Sequence, residues 1–181
     1  MDQARDRAVD DLLVMRCQAG RRDAFDLLLR RWQRPLWRYA RSLTGSDDAA
    51  WDVMQEAWMT LLGQIRRLSD PAWFGAWTHR IVRNKCADHS RRCGRRRRLA
   101  QALAERSSAG ADPPRPESGP AVAEAVSQLP PDARELLALR YGGDLNTLEI
   151  ALVLGIPVGT VKSRLHHARE QLRRILKGSE S

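Results

Sequence analysis

Residues 105–120, ERSSAGADPPRPESGP, hold four prolines and show no apolar period. Proline fixes φ and has no backbone donor, so a stretch rich in it, with serine and glycine between, neither continues a helix nor pairs in a sheet. The composition changes just after Arg98, and helical patterning returns near Ala121. The 181-residue chain is therefore expected to form a first unit over 1–98, a flexible linker over 99–120 and a second unit over 121–177. Units this small must bury one apolar face of each element against another. Apolar residues recur at steps of three and four, with no strand alternation and no internal repeat. The expected fold class is all-α: two small helical domains, a four-helix unit and a helix-turn-helix, joined by the linker.

Asp10 to Ala19 reads as a short amphipathic helix closed by Gly20, and Arg22 to Thr44 as a longer one with Phe25, Leu28, Leu29, Trp32, Leu36, Tyr39, Ala40 and Leu43 on its apolar side. Pro35 inside it is expected to kink or split it. Gly45 ends it. Ser46 can cap a third helix running to about Ile65, with Asp47 and Asp48 where the helix dipole favours them. Pro71 suits the first turn of a fourth helix. In the second unit a glycine-containing turn leads into Val158, after which Val161, Leu165, Ala168, Leu172 and Ile175 line one stripe. Lys162, His166, Arg169 and Arg173 form a parallel polar stripe facing water.

The net charge of +9 makes an acidic partner the first expectation, with nucleic acid the foremost candidate. Residues 1–98 carry 21 Lys and Arg against 12 Asp and Glu, while residues 99–181 carry ten of each. The second unit is nonetheless polarised, because residues 158–177 hold six basic residues and one acidic. No stretch approaches the roughly 20 apolar residues of a membrane span, and the N-terminus lacks a signal pattern, so a cytoplasmic protein without membrane insertion is expected. Cys17, Cys86 and Cys93 are too few and scattered for a disulfide framework.

Two segments carry chemistry beyond packing. In SDDAAWDVMQEAWMTLL, Ala50, Val53, Met54, Ala57 and Leu61 face inward, while Asp52, Gln55, Glu56 and Met59 share the other side. That acidic face is either simply solvated or a protein-docking face, since a negative patch beside a DNA-binding surface repels DNA. Residues 79–98 hold nine Lys and Arg against Asp88 alone, downstream of Trp73, Phe74 and Trp77. Rings beside a basic stripe suit a single strand. If Phe74 and Trp77 are core instead, the arginines and Asn84 remain as the DNA contacts.

Three stretches, DAFDLLLRRWQRPLWRYARSLTGSDDAAWDVMQEAW, FGAWTHRIVRN and LPPDARELLALRYGGDLNTLEIALVLGIPVGTVKSRLHHAR, together resemble the extracytoplasmic-function sigma factors, the small two-domain type of the sigma-70 family. The resemblance implies region 2 over 1–98, for docking on core polymerase and for recognising and melting the minus-ten element, and region 4 over 121–177, for the minus-35 element. It implies that Asp52, Gln55 and Glu56 dock on the clamp helices of the polymerase beta-prime subunit. It places Asn84, with Arg80, Arg83 and Lys85, at the minus-ten element, where a base is held flipped out near the turn from Leu68 to Trp73. It places Thr160, Lys162, Ser163, His166 and Arg169 at the minus-35 element in the major groove. The implied partners are core polymerase (beta-prime clamp helices and beta flap), promoter DNA and an anti-sigma factor. Trp51, Trp73, His79 and Leu148 stand where relatives usually carry other residue types.

Two other classes account for parts of the chain. A free-standing helix-turn-helix regulator accounts for 121–177 but leaves the acidic face and the fourth helix unused. A zinc sensor would draw on Cys86, His89 and Cys93, yet one helix seldom supplies a structural site. No paired carboxylates, nucleophile–base pair or glycine-rich phosphate loop is present, so the expectation is a non-enzyme without cofactor or metal.

Overall fold

The computed structural model describes residues 2–104 and 121–178, and every described element is helical. Helices α1 (Asp2–Gln18), α2 (Arg22–Thr44), α3 (Asp47–Gln64) and α4 (Phe74–Ala104) build the N-terminal unit, with single 3₁₀ turns at Ile65–Arg67 and Pro71–Trp73. Helices α5 (Ala121–Ser127), α6 (Pro131–Leu137), α7 (Thr147–Leu154) and α8 (Val158–Gly178) build the C-terminal one, and α6 runs on into a π-helical turn at Ala138–Gly142. The expectation of a flexible linker falls on residues 105–120, which lie outside the described residues.

Local sequence accounts for the ends of α2 and α3. Gly45 closes α2, and the Ser46 hydroxyl accepts from the Ala49 amide at 3.4 Å to start α3. Asp47 and Asp48 follow in the first turn. Asp70 caps the turn before α4 by accepting from the Ala72 amide at 2.9 Å.

Three expectations are corrected. Helix α1 starts at Asp2 rather than Asp10. Helix α2 runs unbroken through Pro35, because it buries Leu28, Leu36, Tyr39 and Ala40 along one face. Burying each large side chain contributes about 1.5–3 kcal/mol, which together exceeds the cost of about 3 kcal/mol for an internal proline. Helix α4 continues through Ala104, so the first six residues assigned to the linker are helical.

The apolar interior has two parts. The smaller joins Leu13, Val14 and Cys17 of α1 to Ala24 and Leu28 of α2, Ile65 and Phe74. The larger contains Leu36, Ala40, Val53, Met54, Leu61 and Val82 of the N-terminal unit together with Leu136, Leu139, Leu145, Ile150, Val161 and Leu165 of the C-terminal one. The units are thus packed on each other, with α7 against α4 and α6 against α2. The tether expected from sequence joins two bodies that share a core.

Candidate nucleic-acid interface

The acidic face of α3 points outward as expected. Ala50, Val53, Met54, Ala57 and Leu61 are buried, whereas Asp52, Gln55 and Met59 are exposed. Glu56 is not free. Its carboxylate accepts from Arg92 Nη2 at 2.6 Å and lies 3.9 Å from Lys85 Nζ, both on α4. Asp52, Gln55 and Glu56 therefore share a surface depression with His89, Arg92, Cys93 and Arg96. The face is an acid–base seam along two helices, a pattern the periodicity of α3 alone could not reveal.

Along α4 the four residues expected at DNA do not gather on one free surface. Arg80 and Asn84, one turn apart, are exposed. Lys85 leans toward Glu56. Arg83 Nε donates to Glu135 of α6 at 2.8 Å, and the same carboxylate oxygen accepts from the Tyr39 hydroxyl at 2.8 Å. Phe74 is buried and Trp77 packs beside it, so those rings belong to the core and are not a free stacking platform for a strand. The turn from Leu68 to Trp73 is anchored: the Gln18 amide donates to the carbonyls of Ile65 at 3.1 Å and Leu68 at 2.7 Å.

His79 is wholly buried on α4. Its Nδ1–H donates to the Gly75 carbonyl at 2.8 Å, while Nε2 has no partner among the described residues. Burial pushes its pKa down to about 4, so the ring is neutral. Cys86 is buried too, and burial raises its thiol to about 12. Cys93 is exposed, with Sγ 3.4 Å from His89 Nε2. The zinc set weighed from sequence is therefore divided between interior and surface. Among the described residues no group of three or more His, Cys, Asp or Glu is placed to hold a metal ion.

The C-terminal surface follows the sequence closely. Asn146 caps α7, accepting from the amides of Leu148 at 2.9 Å and Glu149 at 3.0 Å, while Glu149 returns a bond to the Asn146 amide at 2.6 Å. Gly155 makes the turn between α7 and α8 at φ +68°, where a side chain is strained. Val161, Leu165 and Ala168 are buried, which leaves Lys162, Ser163, His166 and Arg169 exposed on α8 with Thr160 half-buried at its start. The Ser163 hydroxyl donates to the Thr160 carbonyl at 3.1 Å. Arg169 donates from Nε to the Tyr141 hydroxyl at 2.9 Å, and Arg173 pairs with Glu170.

Sequence reasoning missed Tyr39, Glu135, His79 and Glu149, which join the units. Polar residues within apolar-patterned helices were the available signal. No helix among the described residues is long and apolar enough to cross a membrane.

Comparison with known proteins follows the same division. The family profile for sigma-70 region 2 matches residues 28–97, and that for sigma-70, region 4 matches residues 120–172. The RNA polymerase sigma-H factor of Pseudomonas aeruginosa is 32% identical over 180 residues, spanning 92% of this chain and 93% of that protein. The ECF RNA polymerase sigma factor SigE of Mycolicibacterium smegmatis is 34% identical over 161 residues, spanning 84% of this chain and 62% of that protein. Among solved structures, CnrH in complex with the cytosolic domain of CnrY superposes with a TM-score of 0.67 at 26% identity, covering 94% of this chain and 98% of that one. The sigma factor RpoE in complex with the anti-sigma factor NepR from Bartonella quintana superposes equally well, at 24% identity and over 84% of this chain and 96% of that one.

Proposed function

Since this chain belongs to the sigma-70 family, as an RNA polymerase sigma factor of the extracytoplasmic-function type acting in transcription initiation, we propose that its two units divide the promoter between them. Residues 1–98 serve as region 2 and residues 121–177 as region 4. Asp52, Gln55 and Glu56 dock on the clamp helices of the polymerase beta-prime subunit, and the beta flap receives region 4. An anti-sigma factor is the third partner, and the chain itself has no catalytic activity.

The observation carrying this reading is the division of α8 into a buried stripe (Val161, Leu165, Ala168) and an exposed one (Lys162, Ser163, His166, Arg169) after a capped helix and a tight turn. A helix so held presents its early residues to the major groove. Lys162 can donate to guanine O6 and N7 there, and Ser163 can serve several bases. In the N-terminal unit, the exposed Asn84 of α4 receives an extruded base, while Arg80, Arg83 and Lys85 follow the phosphates.

Run-off transcription from genomic fragments, with purified core polymerase plus this protein, tests the whole reading. Defined start sites that depend on the protein are expected; DNA binding without transcripts would instead mark a free-standing regulator. Permanganate footprinting then tests the melting role. Asn84→Ala should reduce thymine reactivity far more than it reduces closed-complex binding, and normal reactivity would remove Asn84 from the base pocket.

A further inference from the structure

The seam between the units is built from groups that the promoter reading leaves unexplained. Glu135 sits on Arg83, one of the cations assigned to the minus-ten strand, and its side chain is only 13% exposed. Tyr39, itself buried, donates to the same oxygen, so two donors from two N-terminal helices hold one C-terminal carboxylate. At the other end Arg7 of α1 donates to Glu149 of α7 at 3.2 Å.

Between these contacts lies Gly143. Its backbone is ordinary, at φ −94° and ψ −7°, so its dihedral angles do not require glycine. The Leu139 carbonyl, 3.1 Å from where a Cβ would sit, is a local constraint, and the tightest one comes from across the seam. A Cβ at Gly143 would lie 2.6 Å from His79 Nε2 and 3.0 Å from its Cε1. Those are the ring atoms of a wholly buried side chain that cannot swing away. Nε2 is also the nitrogen without a partner among the described residues, so the closed seam leaves one acceptor unsatisfied by protein groups. The closed seam is thus close-fitting and partly ionic.

We infer that the C-terminal unit is a built-in inhibitor of the N-terminal one: the Glu135 carboxylate occupies on Arg83 the place of a DNA phosphate, and the seam must part before α4 can take a strand. A carboxylate and a phosphate are both anionic acceptors for a guanidinium, so they compete for Arg83, whose Nε donor Glu135 holds. Tethering favours the carboxylate, because a group on the same chain is present at a millimolar-range effective concentration. The inference rests on Arg83 being a minus-ten contact.

The experiment uses the full chain and a fluorescein-labelled dT20 oligonucleotide, which reports sequence-independent strand binding, with the radius of gyration from X-ray scattering read on the same samples. Glu135→Gln removes the charge at constant shape. Gly143→Ala wedges the seam against His79, and its Cβ also meets the Leu139 carbonyl of its own unit at 3.1 Å, so Glu135→Gln is the arm that leaves packing untouched. Glu124→Gln, on α5 and away from the seam, controls for net charge. Glu135→Gln and Gly143→Ala should each enlarge the radius of gyration and tighten dT20 binding by about tenfold, a typical intramolecular coupling, while Glu124→Gln does neither. Adding Arg83→Ala should abolish the gain. An enlarged chain with unchanged affinity overturns the inference, as does a compact chain in both seam variants. A gain that survives Arg83→Ala overturns it for Arg83 and leaves Arg80 and Asn84 as strand contacts. No dT20 binding by any variant removes the minus-ten reading itself.

Discussion

Helices α4 and α8 are both basic and both proposed to meet DNA, yet carboxylates engage more of the proposed contacts on α4 than on α8. On α8, Lys162 and His166 stand exposed, and the buried stripe of the helix holds their spacing. On α4, Arg83 is held by Glu135, and Arg92 and Lys85 by Glu56. The first surface is ready to read. The second is kept by carboxylates, one from the other unit and one from its own docking helix. Under the proposed autoinhibition, Arg83 needs release before it can hold a strand, whereas Lys162 and His166 do not.

The strongest way to break that contrast is to reverse the shared carboxylate. Asp52→Lys with Glu56→Lys should reduce core polymerase pull-down by about 100-fold or more, since like charges then face the partner. It should leave the circular dichroism unchanged, since Asp52 is exposed and Glu56 only half-buried. Retained pull-down would detach the docking role from α3 and leave Glu56 as a local partner of Arg92.

Lys162→Ala sharpens the other side of the comparison. It should cost up to about 3 kcal/mol at one base position of a selected minus-35 sequence. The melting temperature should not move, because Val161, Leu165 and Ala168 keep the helix packed. A uniform loss over all sequences would make Lys162 a phosphate contact and turn α8 in the groove.

Acid tests the seam. His79 faces Trp32 and Tyr39 of α2, and Gly143 of the C-terminal unit. Tyr39 is the titratable group among them, and burial first, then Glu135, keeps it protonated well above its usual range. His79 has a pKa of about 4 when buried and 6.5 when free, so protons favour the parted or unfolded chain. Stability is complete above pH 6.5 and falls as the pH drops toward 4. Between pH 7 and pH 5 the loss should be about 2 kcal/mol, read as a lower urea midpoint, and His79→Phe should flatten it. An equal loss in His79→Phe would assign the effect elsewhere.

Two smaller changes complete the series. Tyr39→Phe removes one hydrogen bond to Glu135 while Arg83 stays, so it should cost about 1 kcal/mol in thermal unfolding. A loss as large as that of Arg83→Ala would make the hydroxyl the main holder of the carboxylate. Arg173→Ala removes an exposed cation already paired with Glu170 and should change affinity and stability by less than about 0.5 kcal/mol. A shift in base preference there would break the assigned orientation of α8.

The sequence carried the helices well where punctuation is local. Gly45 and Ser46 mark the α2–α3 junction, and the stripe of Val161, Leu165 and Ala168 is visible as a period. Asn84 and Lys162 emerge exposed because a period that fixes the inner face also fixes the outer one. It carried less where tertiary packing decides. Pro35 reads as a break until the burial of Leu28 and Leu36 is counted, and α1 hides its length because its outer side also bears Val9, Leu12 and Met15. The seam was illegible for a different reason. A periodic pattern states that a face is buried but not against which partner, so Glu135 and Tyr39 looked like ordinary positions on separate helices.

Glu149 carries a last consequence. One carboxylate closes the cap of α7 and also receives Arg7 from α1, with both bonds on the same oxygen. The cap is internal to the C-terminal unit and the Arg7 bond is external, so detachment removes a bond from outside without unravelling the first turn of α7. If the seam parts as inferred, the C-terminal unit keeps the capped start of α7 and swings away as a finished part, with no helix to melt and rebuild.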